Sequence, residues 1–416
     1  MQTLSYDVVV VGGGSAGVAS AIAASRCGCK TLLIERNAYL GGQATNAWVS
    51  AFCGFFTKGE LPTQCVKGIG DEVLQRLKDY GEDINYVINP STKNASIRFH
   101  PEILKLVLDD LILESAMDVR LCTTLIDVNV NNQKIESIIV MDDDDKYLVE
   151  AKVFIDTTGD ANLLNSAHIQ TMWGDQSHHV QQSSLSCLVD NLPSDEIKIE
   201  TIESAIKQAK ANGATHLDKE RGMIIKVKGD TYGYMTIPSI ELNNLSGSTL
   251  TQSLIELRKK GNAYVKALKQ YAPNFNNVNL KSSAPYLGIR ESRRMVGKTM
   301  IQGEDVLRAV KSKDSIARAG WPVEMHKNSG LSYQSICDND YFGVPLGALV
   351  SKDITNLLAA GRCISCDSVA LASLRVMGTS FATGQAAGVA AAYYARTNQL
   401  DVEAIQEELI KQNALI

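Results

Sequence analysis

Val8, Val9, Val10 and Val11 form an unbroken β-branched run directly after Asp7. Such a run predicts a strand covered on both faces, because neither side offers a polar residue to water. The Ala-rich segment 16–27 predicts a helix packed tightly on a sheet, and residues 31–34 a second short buried strand. The chain therefore opens β-α-β. Apolar residues at Ile69, Val73, Leu74 and Leu77 recur at helical spacing and predict a helix over 68–80. A further helix is predicted over 101–115, with Pro101 at its first position. Strands are predicted over 119–130, 134–141 and 147–155, with the acidic run 142–145 as a solvated hairpin tip. Between 170 and about 344 the βαβ rhythm disappears. Strand-like pieces (222–228 and 233–237) lie beside a long helical stretch over 249–271. The rhythm returns with a buried strand over 354–360 and an Ala/Gly-rich helix over 383–395.

The length of 416 residues suits two interleaved domains, each with its own core. A net charge of −5 gives no basic footprint, so nucleic acid is not an expected partner. No run of roughly 18 apolar residues predicts a membrane span. The first residues lack the features of a secretory signal. Nine scattered cysteines, an odd number, favour reduced thiols in a cytoplasmic protein over a disulfide framework.

The strongest chemical signal is Gly12-Gly13-Gly14-Ser15-Ala16-Gly17. It fits G-x-G-x-x-G, and it follows a buried strand and opens a helix, which is the context that gives the pattern meaning. Gly12 permits the tight turn, Gly14 lets the backbone approach a pyrophosphate, and Gly17 allows close helix–strand packing. The backbone of Ser15 and Ala16 then belongs to the positive helix end on which the diphosphate rests. Glu35 closes the second strand, where a carboxylate accepts from ribose hydroxyls.

Three later segments choose among dinucleotides. Arg36 and the run Leu40-Gly41-Gly42-Gln43-Ala44-Thr45 resemble the segment by which flavoproteins of the glutathione-reductase structural family touch pyrophosphate and ribitol. Residues 153–161, with Thr158, Gly159 and Asp160, resemble the strand-to-turn motif that closes over the adenine half. Gly361 and Arg362, leading to Met377, Gly378, Thr379 and Ser380, resemble the flavin-binding segment in which a helix start faces the isoalloxazine ring. A positive helix end there stabilises the negative charge of reduced flavin. Leu125, on the predicted strand over 119–130, completes the expected cofactor-contacting set.

The chain as a whole resembles the FAD-dependent oxidoreductases of bacteria, a group related to but distinct from the fumarate reductase flavoproteins. The specific blocks are 288–294, 321–326, and 361–365 through 385–388. The resemblance implies FAD as cofactor and an α/β fold: a Rossmann-like FAD-binding domain with an inserted α+β substrate domain. The expected partition is 1–45, 95–169 and 345–400 for FAD, 46–94 and 170–344 for the substrate or cap domain, and 401–416 as a C-terminal helix.

Within the resembling blocks, Arg290 is a candidate for binding a substrate carboxylate or stabilising reduced flavin. His326 is a candidate general base in a loop-like stretch. Arg375 lies just before the flavin-facing helix, and Tyr341 is a candidate acid. Cys363 and Cys366 form a C-x-x-C that follows a strand, unlike redox motifs at helix starts, and zinc would need two more ligands. No metal is expected. Cys53 follows the pyrophosphate segment and has the position for a covalent tether to the flavin. A second G-x-G-x-x-G is absent, so the expected electron source is a small organic substrate and the sink is oxygen, a quinone or a protein. A flavin monooxygenase or reductase fed by external NAD(P)H, and a non-catalytic flavin-binding subunit, are the rival functions. The sequence leaves oligomeric state open.

Overall fold

The computed structural model describes residues 1–227, 229–327 and 330–416. The opening strand β1 (Gln2–Val11) lies at the centre of a seven-stranded sheet. It runs parallel to β2 (Thr31–Ile34), which runs parallel to β3 (Asp118–Arg120). On its other side β1 is parallel to β6 (Lys146–Asp156) along nearly its whole length. The start of β6 pairs antiparallel with β5 (Lys134–Met141), which pairs with β4 (Thr124–Asn131). The end of β6, Phe154 to Asp156, pairs parallel with β7 (Leu357–Ala359).

The valine run explains the position of β1. Val8 and Val10 point into one apolar cluster, and Val9 and Val11 into the other. This is the period-two alternation of a strand with helices or strands covering both faces. On the first face lie helix α1 (Ser15–Arg26) and the long helix α3 (Met377–Thr397). A Cβ on Gly384 would stand 2.2 Å from the Ala16 carbonyl oxygen, and one on Gly388 2.2 Å from that of Ser20. Small residues thus let the two helices meet backbone to backbone. The Ser20 hydroxyl fixes their register by donating to the Gly384 carbonyl at 2.8 Å.

Two sequence expectations need correction. The strand expected over 119–130 is two strands, β3 and β4, broken at residues 121–123. Cys122 takes φ +52° there, and the amides of Cys122 and Thr123 donate to the carbonyls of Asn37 and Glu35. The Ala/Gly-rich helix begins at Met377, six residues before the expected start at 383. Its first turn holds three weak helix formers in a row, Gly378, Thr379 and Ser380, that hide it.

Between the main-sheet segments, a four-stranded antiparallel sheet runs in the order Ile224–Ile225, Gly233–Met235, Cys187–Asp190, Asn279–Ser283. The helices Ile199–Ala211 and Gly247–Tyr271 share its apolar cluster through Ile202, Ile206 and Leu268. Of the strand expected over 222–228, only Ile224–Ile225 forms, and Lys228 lies outside the described residues. No helix among the described residues is long and apolar enough to cross a membrane.

Candidate cofactor cradle and active-site cavity

At the first strand–helix corner, Gly12 has φ +105°, and a Cβ on it would lie 2.7 Å from the backbone of Thr157 and Thr158. A Cβ on Gly17 would lie 1.8 Å from the Gly12 carbonyl oxygen. Only glycine fits either position. Helix α1 starts at Gly14 with no side-chain cap, so the amides of its first turn, including Ser15 and Ala16, point out of the corner without a side-chain partner. The turn at Gly41 and Gly42 closes against this corner, and a Cβ on Gly42 would come within 2.9 Å of the Gly14 Cα. Gly42 in turn opens the short helix α2 (Gln43–Asn46), again without a side-chain cap. Ala44 is buried, and Thr45 donates to the Leu40 carbonyl at 2.6 Å, so both brace this turn from behind. Gln43 Oε1 lies 3.7 Å from where a Cβ on Gly288 would stand.

Glu35 is buried at the end of β2. One carboxylate oxygen accepts from the Gly13 amide at 2.7 Å, and the other from the Asn37 amide at 2.8 Å. Arg36 stacks over the Tyr286 ring at 4.7 Å. The backbone that meets the Glu35 carbonyl is that of Thr123, whereas Leu125 is half-buried against the second apolar cluster. After β6, Thr158 donates to Asp156; Gly159 has φ +77°, and a Cβ on it would also strike the Arg362 guanidinium. Asp160 pairs with Arg362 at 3.0 Å and accepts from Ser292 at 2.6 Å, while Arg293 donates to its carbonyl at 2.8 Å.

The C-terminal segment reaches the same corner. Gly361, with φ +68°, sits against Ala16. Helix α3 starts at Val376 without a side-chain cap, and its Gly378 packs on the backbone of residues 53–55. The Thr379 hydroxyl is buried with no hydrogen-bond partner. A buried hydroxyl without a protein partner suits a position where a bound group accepts its proton. The glycine gap, three uncapped helix starts and this hydroxyl fit a dinucleotide laid from Glu35 across α1 to the start of α3.

Beside that helix start, Arg290, Glu324, His326 and Arg375 come together in one charged cluster. Each is enclosed by protein yet keeps an accessible face. The side chains of His326 and Glu324 are 20% and 21% exposed. His326 Nε2 stands 3.2 Å from Glu324 Oε1. Arg290 donates to the Gln182 carbonyl and the Ser184 hydroxyl, both at 2.7 Å. Arg375 donates to the Glu324 carbonyl at 2.9 Å, and its buried Nε has no partner. Burial and repulsion from Arg375 bring Arg290 down to about 9. Burial and the neighbouring guanidinium of Arg290 push His326 down to about 3, so it is neutral at pH 7. Burial opposes ionisation of Glu324, but His326, Arg375 and Arg290 outweigh it and hold the carboxyl at about 2. Trp321 donates to its other oxygen at 3.1 Å.

Sequence reasoning missed Glu324 and Gln181. Glu324 stands two residues before His326 in a strand, Val323–Lys327, rather than a loop, and that spacing puts both on one face. Gln181 is buried, its oxygen accepts from the His326 amide at 3.4 Å, and its amide nitrogen is unpartnered. Nothing in the local pattern around Gln181 signals this. Tyr341 is not among the groups brought together. Lys311 and Arg318 flank its ring, each at 4.7 Å, in a separate surface cleft. Arg294 is sealed in the interior, donating to Glu291 at 2.7 Å and to the carbonyls of Cys366 and Gly174. Burial raises the Cys53 thiol to about 12. Cys363 and Cys366 are both buried, and burial likewise raises both thiols.

Known proteins resemble this chain in part and in whole. The tRNA uridine 5-carboxymethylaminomethyl modification enzyme MnmG of Geotalea uraniireducens (strain Rf4) is 38% identical over 94 residues, 23% of this chain and only 14% of that enzyme. The structure of BexE, studied for oxidation during BE-7585A biosynthesis, superposes with a TM-score of 0.51 at 10% identity, over 99% of this chain and 66% of that one. A triple mutant of the flavin-dependent brominase Bmp2 gives 0.50 at 12% identity, over 98% and 85%. At such identities the two structures share the fold alone. The family described as FAD dependent oxidoreductase matches residues 7–409. Since that match runs through every segment of the cradle, the chain belongs to the FAD-dependent oxidoreductase family and is an enzyme with FAD as its cofactor.

Proposed function

We propose that the chain is a dehydrogenase or oxidase that takes a hydride from a small anionic substrate held by Arg290 and Arg375. The observation that carries this reading is the convergence of two guanidinium groups, neutral His326 and ionised Glu324 in one cluster beside the start of α3. These four groups sum to one surplus positive charge, which suits a substrate carboxylate. Arg290 is pre-positioned by Ser184 and the Gln182 carbonyl, so little ordering is needed on binding. The unpartnered Nε of Arg375 offers a second donor. Residues 1–45, 95–169 and 345–400 serve as the cofactor-holding part, and 46–94 and 170–344 cover the substrate.

Bound FAD supplies a two-electron acceptor that oxygen, a quinone or a partner protein then reoxidises. The substrate gives up a hydride from carbon or nitrogen, and His326 takes the proton from the adjoining O–H or N–H. With Glu324 accepting from Nε2–H, Nδ1 carries the lone pair. A bound carboxylate offsets the repulsion from Arg290 and Arg375, which raises the affinity of His326 for that proton. Anaerobic mixing of the holoenzyme with amino acids, hydroxy acids and amines tests the direction of electron flow. Bleaching of the oxidised flavin band by one of them supports the reading. Bleaching by NAD(P)H and by none of them contradicts it.

A further inference from the structure

Tyr286 lies in the connection between the strands Asn279–Ser283 and Arg293–Met295. Its neighbours Ala284 and Leu287 are buried in an apolar cluster with Leu185, Leu242 and Leu257, and Tyr286 packs against that cluster. Its amide donates at 3.1 Å to the carbonyl of Asn46, the last residue of α2. Two residues on, Gly288 exchanges both backbone hydrogen bonds with Ser184, at 2.8 and 3.0 Å. The chain on either side of Tyr286 is therefore fixed, and its ring is presented from a rigid support.

That ring carries the Arg36 guanidinium over its face, 4.7 Å from the centroid. Arg36 is exposed and forms no ion pair among the described residues. Glu35, the acid beside it in the chain, spends its two carboxylate oxygens on the amides of Gly13 and Asn37. The result is a cation without an acid partner, held on an aromatic face one residue beyond the carboxylate that closes β2. An exposed arginine that is ordered before a ligand arrives has less side-chain freedom to lose on binding.

We propose that Tyr286 is a positioning residue for FAD: it pre-orders Arg36 so that the guanidinium meets the phosphates of the cofactor's adenosine half. This rests on the reading of the glycine corner as the FAD cradle. It goes beyond that reading because Tyr286 belongs to residues 170–344, so the part that covers the substrate also helps to hold the cofactor. An arginine suits the role, since it stacks on a ring through its planar face and donates to phosphate through its edge.

The test is fluorescence titration of the flavin-free full chain with FAD. Arg36→Met is expected to weaken FAD binding about tenfold or more. Tyr286→Leu is expected to weaken it about three- to thirtyfold. Tyr286→Phe, which keeps the aromatic face, stays within about twofold of wild type. The double variant Arg36→Met/Tyr286→Leu stays within about twofold of Arg36→Met, because the ring then has no cation to hold. Circular dichroism and thermal midpoints equal to wild type show that the variants are folded, and Tyr286→Met replaces Tyr286→Leu if the latter does not fold. Losses that add in the double variant, or Tyr286→Phe as weak as Tyr286→Leu, overturn the proposal. Arg36→Met or Tyr286→Leu that binds FAD as wild type does overturns this inference alone. Gly17→Ala that also binds FAD as wild type does overturns the cradle reading as well.

Discussion

His326 and Glu324 give the charged cluster a pH signature that can be read from stability. The folded chain holds His326 at about 3, against an ordinary value of 6.5. Between those values the unfolded chain binds a proton that the folded chain refuses, so stability falls as pH falls through this window. Glu324, held at about 2 against 4.5, acts in the same direction. Its contribution is full above 4.5 and is lost as pH falls toward 2. Urea unfolding of the flavin-free protein at pH 7 and pH 5 is predicted to show an extra loss of about 2 kcal/mol from His326 alone. His326→Asn is predicted to remove that loss, and equal pH slopes in both proteins would refute the assignment. The block 288–294 shows where sequence stops being informative at this scale. Arg290, Arg293 and Arg294 are the same residue type within five positions. One joins the charged cluster, one holds the Asp160 loop, and one is sealed against Glu291. Backbone direction separates them, and that is set by strands far away in the chain. Because Glu291 is fully buried against Arg294, Glu291→Gln leaves a buried guanidinium without its countercharge. Unfolding measurements are predicted to show a cost of about 3–5 kcal/mol, and a change under 1 kcal/mol would contradict the buried-pair account.

At the level of elements, the opening β-α-β unit was legible because valine runs, glycine spacing and the closing acid all agree. Helix boundaries over 69–79 and 101–113 also lie close to the periodic apolar positions. The Ala/Gly pattern alone put the start of α3 too late, although 377–380 resemble a flavin-facing helix start, and the break between β3 and β4 was not legible. Both depend on tertiary contacts, Gly378 against residues 53–55 and Cys122 against Asn37, which leave no local pattern. The packing of α1 on α3 yields a sharp expectation. Any side chain on Gly388 collides with the Ser20 carbonyl, so Gly388→Ala is predicted to lower stability by about 1–3 kcal/mol with FAD affinity nearly unchanged. Gly17→Ala differs, because its new methyl strikes the Gly12 carbonyl inside the cradle itself. Its FAD content after purification is predicted to fall below about a tenth of wild type. Full flavin content in Gly17→Ala would show that the corner does not hold the diphosphate.

Over the whole molecule, the chain brings residues 181, 290, 324, 326 and 375 into one cluster, which no local motif links. The glycine-marked turns of the proposed cradle could be read from sequence because each holds a position where a Cβ does not fit. The cluster could be read only in part, since its chemistry rests on side chains brought together from separate strands. Arg290, His326 and Arg375 stood out by residue type within resembling blocks. Glu324 carries the same weight in the charge balance but lacked such a mark. The central claim is that this charged cluster adjoins the flavin ring and receives an anion. A difference spectrum of the holoenzyme, recorded while mono- and dicarboxylates are titrated in, tests it most directly. The account predicts a saturable shift of the flavin absorption bands that Arg290→Met weakens. Calorimetric binding of the same anions with no change in the flavin spectrum would contradict it.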